Sequence, residues 1–305
     1  MYIKDGAIVI PSKSFIVGEY LVLRGGGALV WLHEPCFTLA PTNEYLKIHK
    51  DSPAGKLFSL FHRSAEVSES KLKSSLEATT VATTEGDQIL IKLSDPHNGA
   101  GGYGRSTAEF LAVLYVCGLN FRCFPVELTW LTEITKIFDM SKGEKAKVAQ
   151  KMWTLYKEIT RSKNEYNPSG IDLAAQLFAE EEGIVVVSQD PFYVNTYKWP
   201  FEEQAELKSV PTKNKLDTHT HLESLGKFSC AGFTESFNKT LRGLTTESLE
   251  LFSEGINEYQ RALVIEGLQS DKSKILVDKA IKAGAIAAKG CGAMGADTYL
   301  TISKV

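Results

Sequence analysis

The 305-residue sequence has few cysteines and no long hydrophobic run. Its cysteines are scattered and never spaced Cys-x-x-Cys; they are Cys36, Cys117, Cys123, Cys230 and Cys291. This pattern argues against a disulfide framework or a cysteine zinc site and indicates reduced thiols. The apolar stretch near the N-terminus is too short for a signal peptide, and no segment approaches the length of a membrane span. We therefore expect a cytoplasmic protein with no membrane partner.

The sequence also lacks an excess of positive charge. Its formal net charge is −3, with 23% charged and 43% hydrophobic residues. Proteins that bind nucleic acids usually carry a basic stripe or a basic domain, so a nucleic-acid partner is not expected. The length is enough for one large or two medium domains with a substantial core.

Apolar runs at the start of the chain predict β-strands. Residues 15–23 and 28–32 flank a turn of three glycines at 25–27, which is typical of a hairpin. Ser141 and Glu144 form a capping box before a helical pattern, and residues 183–188 read as a buried strand.

Helices near 231–242, 246–266 and 271–283 precede two final strands around a glycine loop. Strands and helices follow one another without a regular βαβ rhythm, so the predicted fold class is α+β. A proline-and-charge stretch at 200–204 suggests a boundary between an N-terminal domain, 1–203, and a C-terminal domain, 204–305.

The strongest chemical signal is the glycine-rich segment 99–106. Its glycines let backbone N–H groups approach an anion, and Ser106 and Thr107 open a helix whose N-terminus favours negative charge. Phosphate binding is the natural use of such a loop. The segment fits the dinucleotide pattern GxGxxG, and it also fits a P-loop with Arg105 in the lysine position. The alternative is a structural turn that packs a helix on a strand and binds no ligand.

Four segments, including part of this loop, resemble motifs of the GHMP kinases and occur in the order found in that family. Residues 12–30 resemble the first motif, with Lys13 and Glu19 in the matching places, and residues 102–108 resemble the phosphate loop. Residues 289–296 resemble the third, C-terminal glycine loop. Residues 167–172, Asn-Pro-Ser-Gly-Ile-Asp, resemble the mevalonate-kinase segment with the catalytic aspartate. The resemblance spans nearly the whole chain.

The resemblance implies a two-domain fold with the active site in the cleft between the domains. It implies ATP and Mg²⁺ and a small-molecule acceptor, and it is compatible with a homodimer. Catalytic roles fall to Lys13 and Asp172, substrate binding to Glu19 and Gly292, and Mg²⁺ binding to Ser106 and Glu158. ATP binding falls to the loop and the first helical turn, at Gly99, Gly101, Gly102, Gly104, Arg105, Ser106 and Thr107.

Several residues have a second interpretation. Asp172 follows Ser169 at capping distance, so it could serve only the helix N-terminus. Glu165 is an alternative to Glu158 as the magnesium glutamate. His219 and His221 look like a metal pair, but Thr220 and Glu223 suggest a helix start there, and no third ligand is evident.

The acceptor is predicted to be mevalonate or a close analogue, and three alternatives remain open. Tyr20, after Gly18 and Glu19, favours a phosphomevalonate kinase, whereas an aspartate in the Pro-Ser-Gly context favours an alcohol acceptor. A second alternative is a kinase of the same fold acting on a sugar or an amino-acid alcohol. The third is a non-catalytic binding protein, suggested by Arg105 and by the altered third loop at Met294 and Ala296.

Overall fold

The computed structural model describes most of the chain. The described residues are 1–5, 7–41, 48–65, 84–85, 88–89, 91–119, 133–134, 136–162, 166–178, 183–214, 216 and 218–305. Within these residues, every helix is too short or too polar to cross a membrane.

The larger sheet has six antiparallel strands in the order β1-β2-β3-β7-β8, with β6 also paired to β3. The strands are β1 (Tyr2–Lys4), β2 (Ala7–Val17), β3 (Gly27–Pro41), β6 (Ile91–Ser94), β7 (Gly183–Gln189) and β8 (Phe192–Tyr197). A short separate hairpin joins β4 (Thr84–Glu85) to β5 (Gln88–Ile89).

A smaller sheet has the order β10-β11-β9 and is also antiparallel. Its strands are β9 (Ala205–Pro211), β10 (Ala287–Cys291) and β11 (Thr298–Lys304). Four helices come from the first two-thirds of the chain: α1 (Pro53–Ala65), α2 (Arg105–Leu119), α3 (Lys142–Thr160) and α4 (Ile171–Leu177). Four more follow: α5 (Thr218–Ser224), α6 (Ala231–Thr245), α7 (Leu249–Ile265) and α8 (Asp271–Lys282).

Both faces of the larger sheet are covered, because alternate residues of a strand point to opposite faces. In β7, Val185 and Val187 pack in one hydrophobic cluster with α1–α4, whereas Ile184 and Val186 pack in a second cluster with α6 and α7. This double burial explains why 183–188 is an unbroken apolar run, as the sequence predicted. Strands β2 and β3 also contribute side chains to both clusters. The domain division at 203/204 stays a prediction.

Two local predictions need correction. The run 15–23 is not one strand, because β2 ends at Val17 and Leu21–Arg24 forms a 3₁₀ helix. Gly18 turns the chain with φ +108°, and a Cβ there would lie 2.5 Å from the Cα of Ala28. The helix near His221 begins at Thr218 rather than at Thr220. The capping box of Ser141 and Glu144 is confirmed at the start of α3.

A buried ion pair connects the segment after β2 to the smaller sheet. The Nζ of Lys289, on β10, contacts the Oε1 of Glu19, and their side chains are 0% and 8% exposed. Lys289 also donates to the carbonyl of Gly290 at 2.9 Å. The second carboxylate oxygen of Glu19 is buried with no hydrogen-bond partner among the described residues. Removing one partner therefore leaves a charge that water cannot reach.

We predict that Lys289→Met lowers the free energy of unfolding by about 3–5 kcal/mol, because it leaves the Glu19 carboxylate buried and unpaired. Urea denaturation measures the change. Lys208→Met is the matched control: it breaks the exposed Lys208–Glu206 pair (2.6 Å) and should cost no more than about 1 kcal/mol. The double variant Lys289→Met, Glu19→Gln should recover part of the loss. Equal effects of the two single lysine variants would contradict a structural role for the buried pair.

Candidate active site

The glycine loop reverses direction several times between β6 and α2. Asn98, Gly99, Gly102 and Gly104 have φ values of +52°, +81°, +89° and +84°, a region that side chains other than asparagine and glycine rarely adopt. Helix α2 then begins at Arg105. Within the described structure, no backbone N–H of residues 101–107 donates to another residue. These amides, including those of Gly101 and Ser106, are free to bind an anion at the start of the helix.

Lys13 and Asp172 meet beside this loop. The Nζ of Lys13, on β2, lies 3.6 Å from the Oδ2 of Asp172, on α4, and the two side chains are 10% and 22% exposed. The backbone N–H of Lys13 donates to the carbonyl of Tyr103, within the loop, at 3.1 Å. The structure therefore brings together the two predicted catalytic residues and the predicted phosphate loop.

Asp172 does not act as a cap. The N-cap of α4 is Gly170, with φ +68° and no side-chain capping bond, and the Oγ of Ser169 lies 3.5 Å from the N of Ile171. A Cβ at Gly170 would lie 2.8 Å from the ring of Tyr156, so glycine is required there. The capping pair of Ser169 and Asp172 is therefore wrong, although Asp172 does lie in the first turn of α4. Its carboxylate pairs with Lys13.

Gln176 is a residue that sequence reasoning missed. Its amide nitrogen donates to the carbonyls of Pro11 (2.8 Å) and Gly104 (3.3 Å), and its amide oxygen accepts from the hydroxyl of Thr107 (2.6 Å). The side chain is fully buried, one helical turn after Asp172. One amide thus joins the helix of Asp172, the strand of Lys13 and the glycine loop. A polar residue on the apolar face of α4 was the available signal.

The same contacts show that Thr107 serves the loop from behind. Its side chain is buried, and its hydroxyl lies 3.0 Å from the Gly104 carbonyl as well as bonding to Gln176. Only the backbone N–H of Thr107 faces the free end of the helix. The prediction that this residue binds ATP can therefore apply only to its main chain.

Aromatic rings support the other side of the loop. The ring of Tyr103 stacks on His97 with 3.7 Å between centroids and 5° between planes. His97 in turn hydrogen-bonds to Ser12 at 2.6 Å. Behind Tyr103, the ring of His33 lies 3.0 Å from the hydroxyl of Ser14. Burial lowers the pKa of His33 to about 4, so this ring is neutral at pH 7 and adds no charge beside Lys13.

Asp297 and Thr298, which directly follow the C-terminal glycine loop, pack against the phosphate loop at residues 99–106. A Cβ at Gly102 would lie 3.0 Å from the Cβ of Asp297 and 3.1 Å from the Cγ2 of Thr298. Gly292 has φ +84° and packs against Asp297 so closely that a Cβ there would overlap the carboxylate. Asp297 thus packs on both glycine loops, whereas substrate binding by Gly292 stays a prediction.

Glu19, Arg105 and Glu158 were also predicted to bind ligands. The Glu19 carboxylate is buried against Lys289, and the Arg105 guanidinium lies between Asp95 and Glu109, 3.1 Å from each. Glu158 lines a surface groove of about 340 Å³ with Trp153, Thr154, Lys157, Arg161 and Asn167. Their roles as substrate, ATP and Mg²⁺ ligands are not tested by these contacts.

The described residues contain no group of three His, Cys, Asp or Glu side chains that could hold a metal ion. The alternative Mg²⁺ ligand, Glu165, and the side chain of His219 lie outside those residues.

His221 forms a hydrogen bond with Tyr20. Its Nε2 lies 3.0 Å from the Tyr20 hydroxyl, and this hydroxyl accepts from the N–H of Met294 at 3.1 Å. Burial lowers the pKa of His221 and raises that of Tyr20, which favours a neutral hydrogen-bonded pair.

Comparisons with known proteins come from structure alone, because no family model and no curated protein match the sequence. Mevalonate kinase from Methanococcus jannaschii is 16% identical, with a TM-score of 0.59, over 97% of this chain and 90% of that one. Phosphomevalonate kinase from Streptococcus pneumoniae, solved with phosphomevalonate and AMPPNP, is 13% identical, with a TM-score of 0.63, over 97% and 92%. Galactokinase from Lactococcus lactis, solved with galactose, is 12% identical, with a TM-score of 0.62, over 97% and 85%.

These similar structures are all GHMP kinases. At such identities the likeness shows the fold, and it covers nearly the full length of this chain. The predicted α+β class and the predicted GHMP-kinase-like fold are therefore confirmed.

We predict that Gly104→Ala abolishes nucleotide binding, whereas Gly99→Ala weakens it little. Both residues have positive φ, so each alanine costs about 1–2 kcal/mol of backbone strain. At Gly104 the new Cβ would also lie 2.8 Å from both Gln176 Nε2 and Lys13 Cγ, whereas at Gly99 its nearest neighbour is 3.6 Å away. Titration calorimetry with an ATP analogue, alongside thermal melts, separates binding from stability. Equal affinities in the two folded variants would contradict a phosphate loop centred on Gly104.

Proposed function

We propose that this protein transfers the γ-phosphoryl group of ATP to the hydroxyl of a small molecule, most simply mevalonate or a close analogue. The observation that carries the proposal is the Lys13–Asp172 pair, 3.6 Å apart, beside a loop whose amides are free. Phosphoryl transfer needs positioning and charge neutralisation more than covalent help. The likeness to small-molecule kinases supports this use of the site.

In this mechanism the loop amides at residues 101–107 and the N-terminus of α2 hold the ATP phosphates. The Lys13 ammonium offsets the negative charge of the phosphoryl group in transit. Asp172 accepts a hydrogen bond from the acceptor hydroxyl and orients its oxygen. As the new P–O bond forms and the bond to the β-phosphate oxygen breaks, the hydroxyl proton passes to Asp172.

Magnesium fits this site through Ser106, whose hydroxyl is exposed in the first turn of α2. Mg²⁺ is usually bound by one or two protein oxygens together with substrate phosphates, so few protein ligands are needed. When bound, it would neutralise charge on the phosphate oxygens. The second ligand predicted from the sequence, Glu158, stays a proposal.

The choice of acceptor follows from the cations near the site. Three of these cations have a carboxylate partner: Lys13 has Asp172, Lys289 has Glu19, and Arg105 has two carboxylates. Lys213 is exposed and Lys215 lies outside the described residues, so these two lysines keep the phosphorylated acceptor open as the alternative. Arg24 donates to the Tyr166 hydroxyl at 2.5 Å and packs on the ring of Phe228. A dianionic phosphate would require a denser group of cations, so a singly charged acceptor fits better.

We predict that Asp172→Asn lowers kcat by roughly 10²–10⁴-fold and changes the affinity for ATP little, because the carboxylate contacts the acceptor rather than the nucleotide. Steady-state ADP release with mevalonate measures kcat, and calorimetry measures ATP affinity. Asp278→Asn is the matched control, since it changes an exposed carboxylate on α8. An unchanged kcat in the Asp172 variant would refute the assignment.

We also predict a higher kcat/KM for mevalonate than for phosphomevalonate at saturating ATP and Mg²⁺, because few cations face the site. The coupled assay should include galactose and homoserine as neutral and zwitterionic alcohols. A preference for phosphomevalonate would overturn the choice of acceptor and favour the phosphomevalonate kinase alternative. ATP binding without turnover on any alcohol would favour a non-catalytic binding protein.

A further inference from the structure

Asp95 organises the first part of the glycine loop. It follows β6 directly, and its carboxylate accepts from the N–H of His97 at Oδ1 (2.9 Å) and from the N–H of Gly99 at Oδ2 (2.8 Å). Two amides of the loop are therefore already bound to a carboxylate of the same chain. The free amides begin only after this point, in residues 101–107. Asp95 thus binds the amides at the start of the loop and leaves those of residues 101–107 free for a ligand.

Arg105 extends this arrangement to helix α2. Its Nη1 donates to the Oδ2 of Asp95 and its Nε donates to the Oε1 of Glu109, each at 3.1 Å. The guanidinium is 49% exposed, but the Asp95 and Glu109 side chains are only 11% and 16% exposed. Without the guanidinium, two enclosed carboxylates would face the entrance of a phosphate site and repel the ligand. Arg105 is thus oriented by two anions of its own chain.

We propose that Asp95, Arg105 and Glu109 form a clasp that fixes the glycine loop for nucleotide binding, with Arg105 acting as a positioning residue rather than as a phosphate ligand. The nucleotide part of this inference rests on the proposed function. The clasp explains what an arginine does at this position of the glycine loop. The guanidinium cancels the charge of the carboxylate that holds the loop.

The clasp and direct phosphate binding predict opposite effects for Asp95→Asn. An asparagine offers one acceptor oxygen in place of two, so one loop amide and the guanidinium lose their anionic partner. If the clasp positions the loop, nucleotide affinity falls. If Arg105 were a phosphate ligand, releasing it from Asp95 would leave affinity unchanged or increase it.

The experiment compares Asp95→Asn, Arg105→Gln and the double variant, with Asp278→Asn as the control. Titration with the non-hydrolysable analogue AMPPNP and Mg²⁺ measures affinity. We expect each single variant to lose about tenfold in affinity, in line with loss of a charge-assisted hydrogen bond. The double variant should lose no more affinity than the single variant that binds AMPPNP more weakly, because both changes disrupt the same set of contacts.

Two further readouts separate positioning from general destabilisation. Hydrogen–deuterium exchange over residues 95–107, measured without nucleotide, should become faster in Asp95→Asn and stay unchanged in Asp278→Asn. In the ATP assay, KM for ATP should rise while kcat at saturating ATP changes little. Arg105→Lys should recover part of the affinity, because an ammonium reaches one carboxylate but not both.

Unchanged or tighter AMPPNP binding by a folded Asp95→Asn variant, with unchanged loop exchange, would overturn the clasp. If the unmodified protein binds no AMPPNP, the proposed function fails, and the exchange result alone then decides the clasp. If Asp95→Asn does not fold, Glu109→Gln replaces it, since this change breaks only the Arg105–Glu109 contact on the surface of α2. Faster loop exchange in that variant supports the clasp, and unchanged exchange contradicts it.

Discussion

A loop made of glycines cannot hold its own shape, and this constraint governs the candidate site. Glycine gains positive φ and close backbone approach at the cost of conformational entropy, and it has no side chain to anchor it. The order must come from neighbours that bind the back of the loop and leave its front amides free. Gln176, the backbone N–H of Lys13 and Thr298 supply contacts from three different parts of the chain.

The supporting contacts also explain why distant motifs belong to one site. Asp172 lies on the helix that carries Gln176, and Lys13 lies on the strand whose Pro11 carbonyl accepts from the same amide. Displacement of α4 would therefore disturb the pair and the loop together. Because a buried amide left without partners costs roughly 1–3 kcal/mol for each lost bond, the arrangement with all bonds formed is favoured strongly over partly formed ones.

The buried Glu19–Lys289 pair serves the same end at longer range. It ties the turn after β2 to β10, and β10 leads through the third glycine loop to Asp297 and Thr298, which pack against Gly102. Two residues that a motif comparison assigns to ligands also have partners within the protein. Glu19 pairs with a lysine, and the Thr107 hydroxyl bonds to Gln176. Polar side chains near a phosphate loop are needed to hold the loop as well as to contact its ligand.

The sequence by itself predicted the fold class and the glycine loop, and its resemblance to the GHMP kinases pointed to Lys13 and Asp172 as catalytic residues. Glycine spacing, the capping box at Ser141 and the unbroken apolar run of β7 are local signals, and local physics is enough to interpret them. It did not reveal the turn at Gly18, whose cause is the close approach of Ala28. For Gln176 the available signal was a polar residue on the apolar face of α4, whereas Asp95 belongs to no pattern that a sequence reveals. Their roles arise from residues up to 165 positions apart meeting in space, and only the tertiary structure decides which distant carbonyls and amides a buried side chain must satisfy.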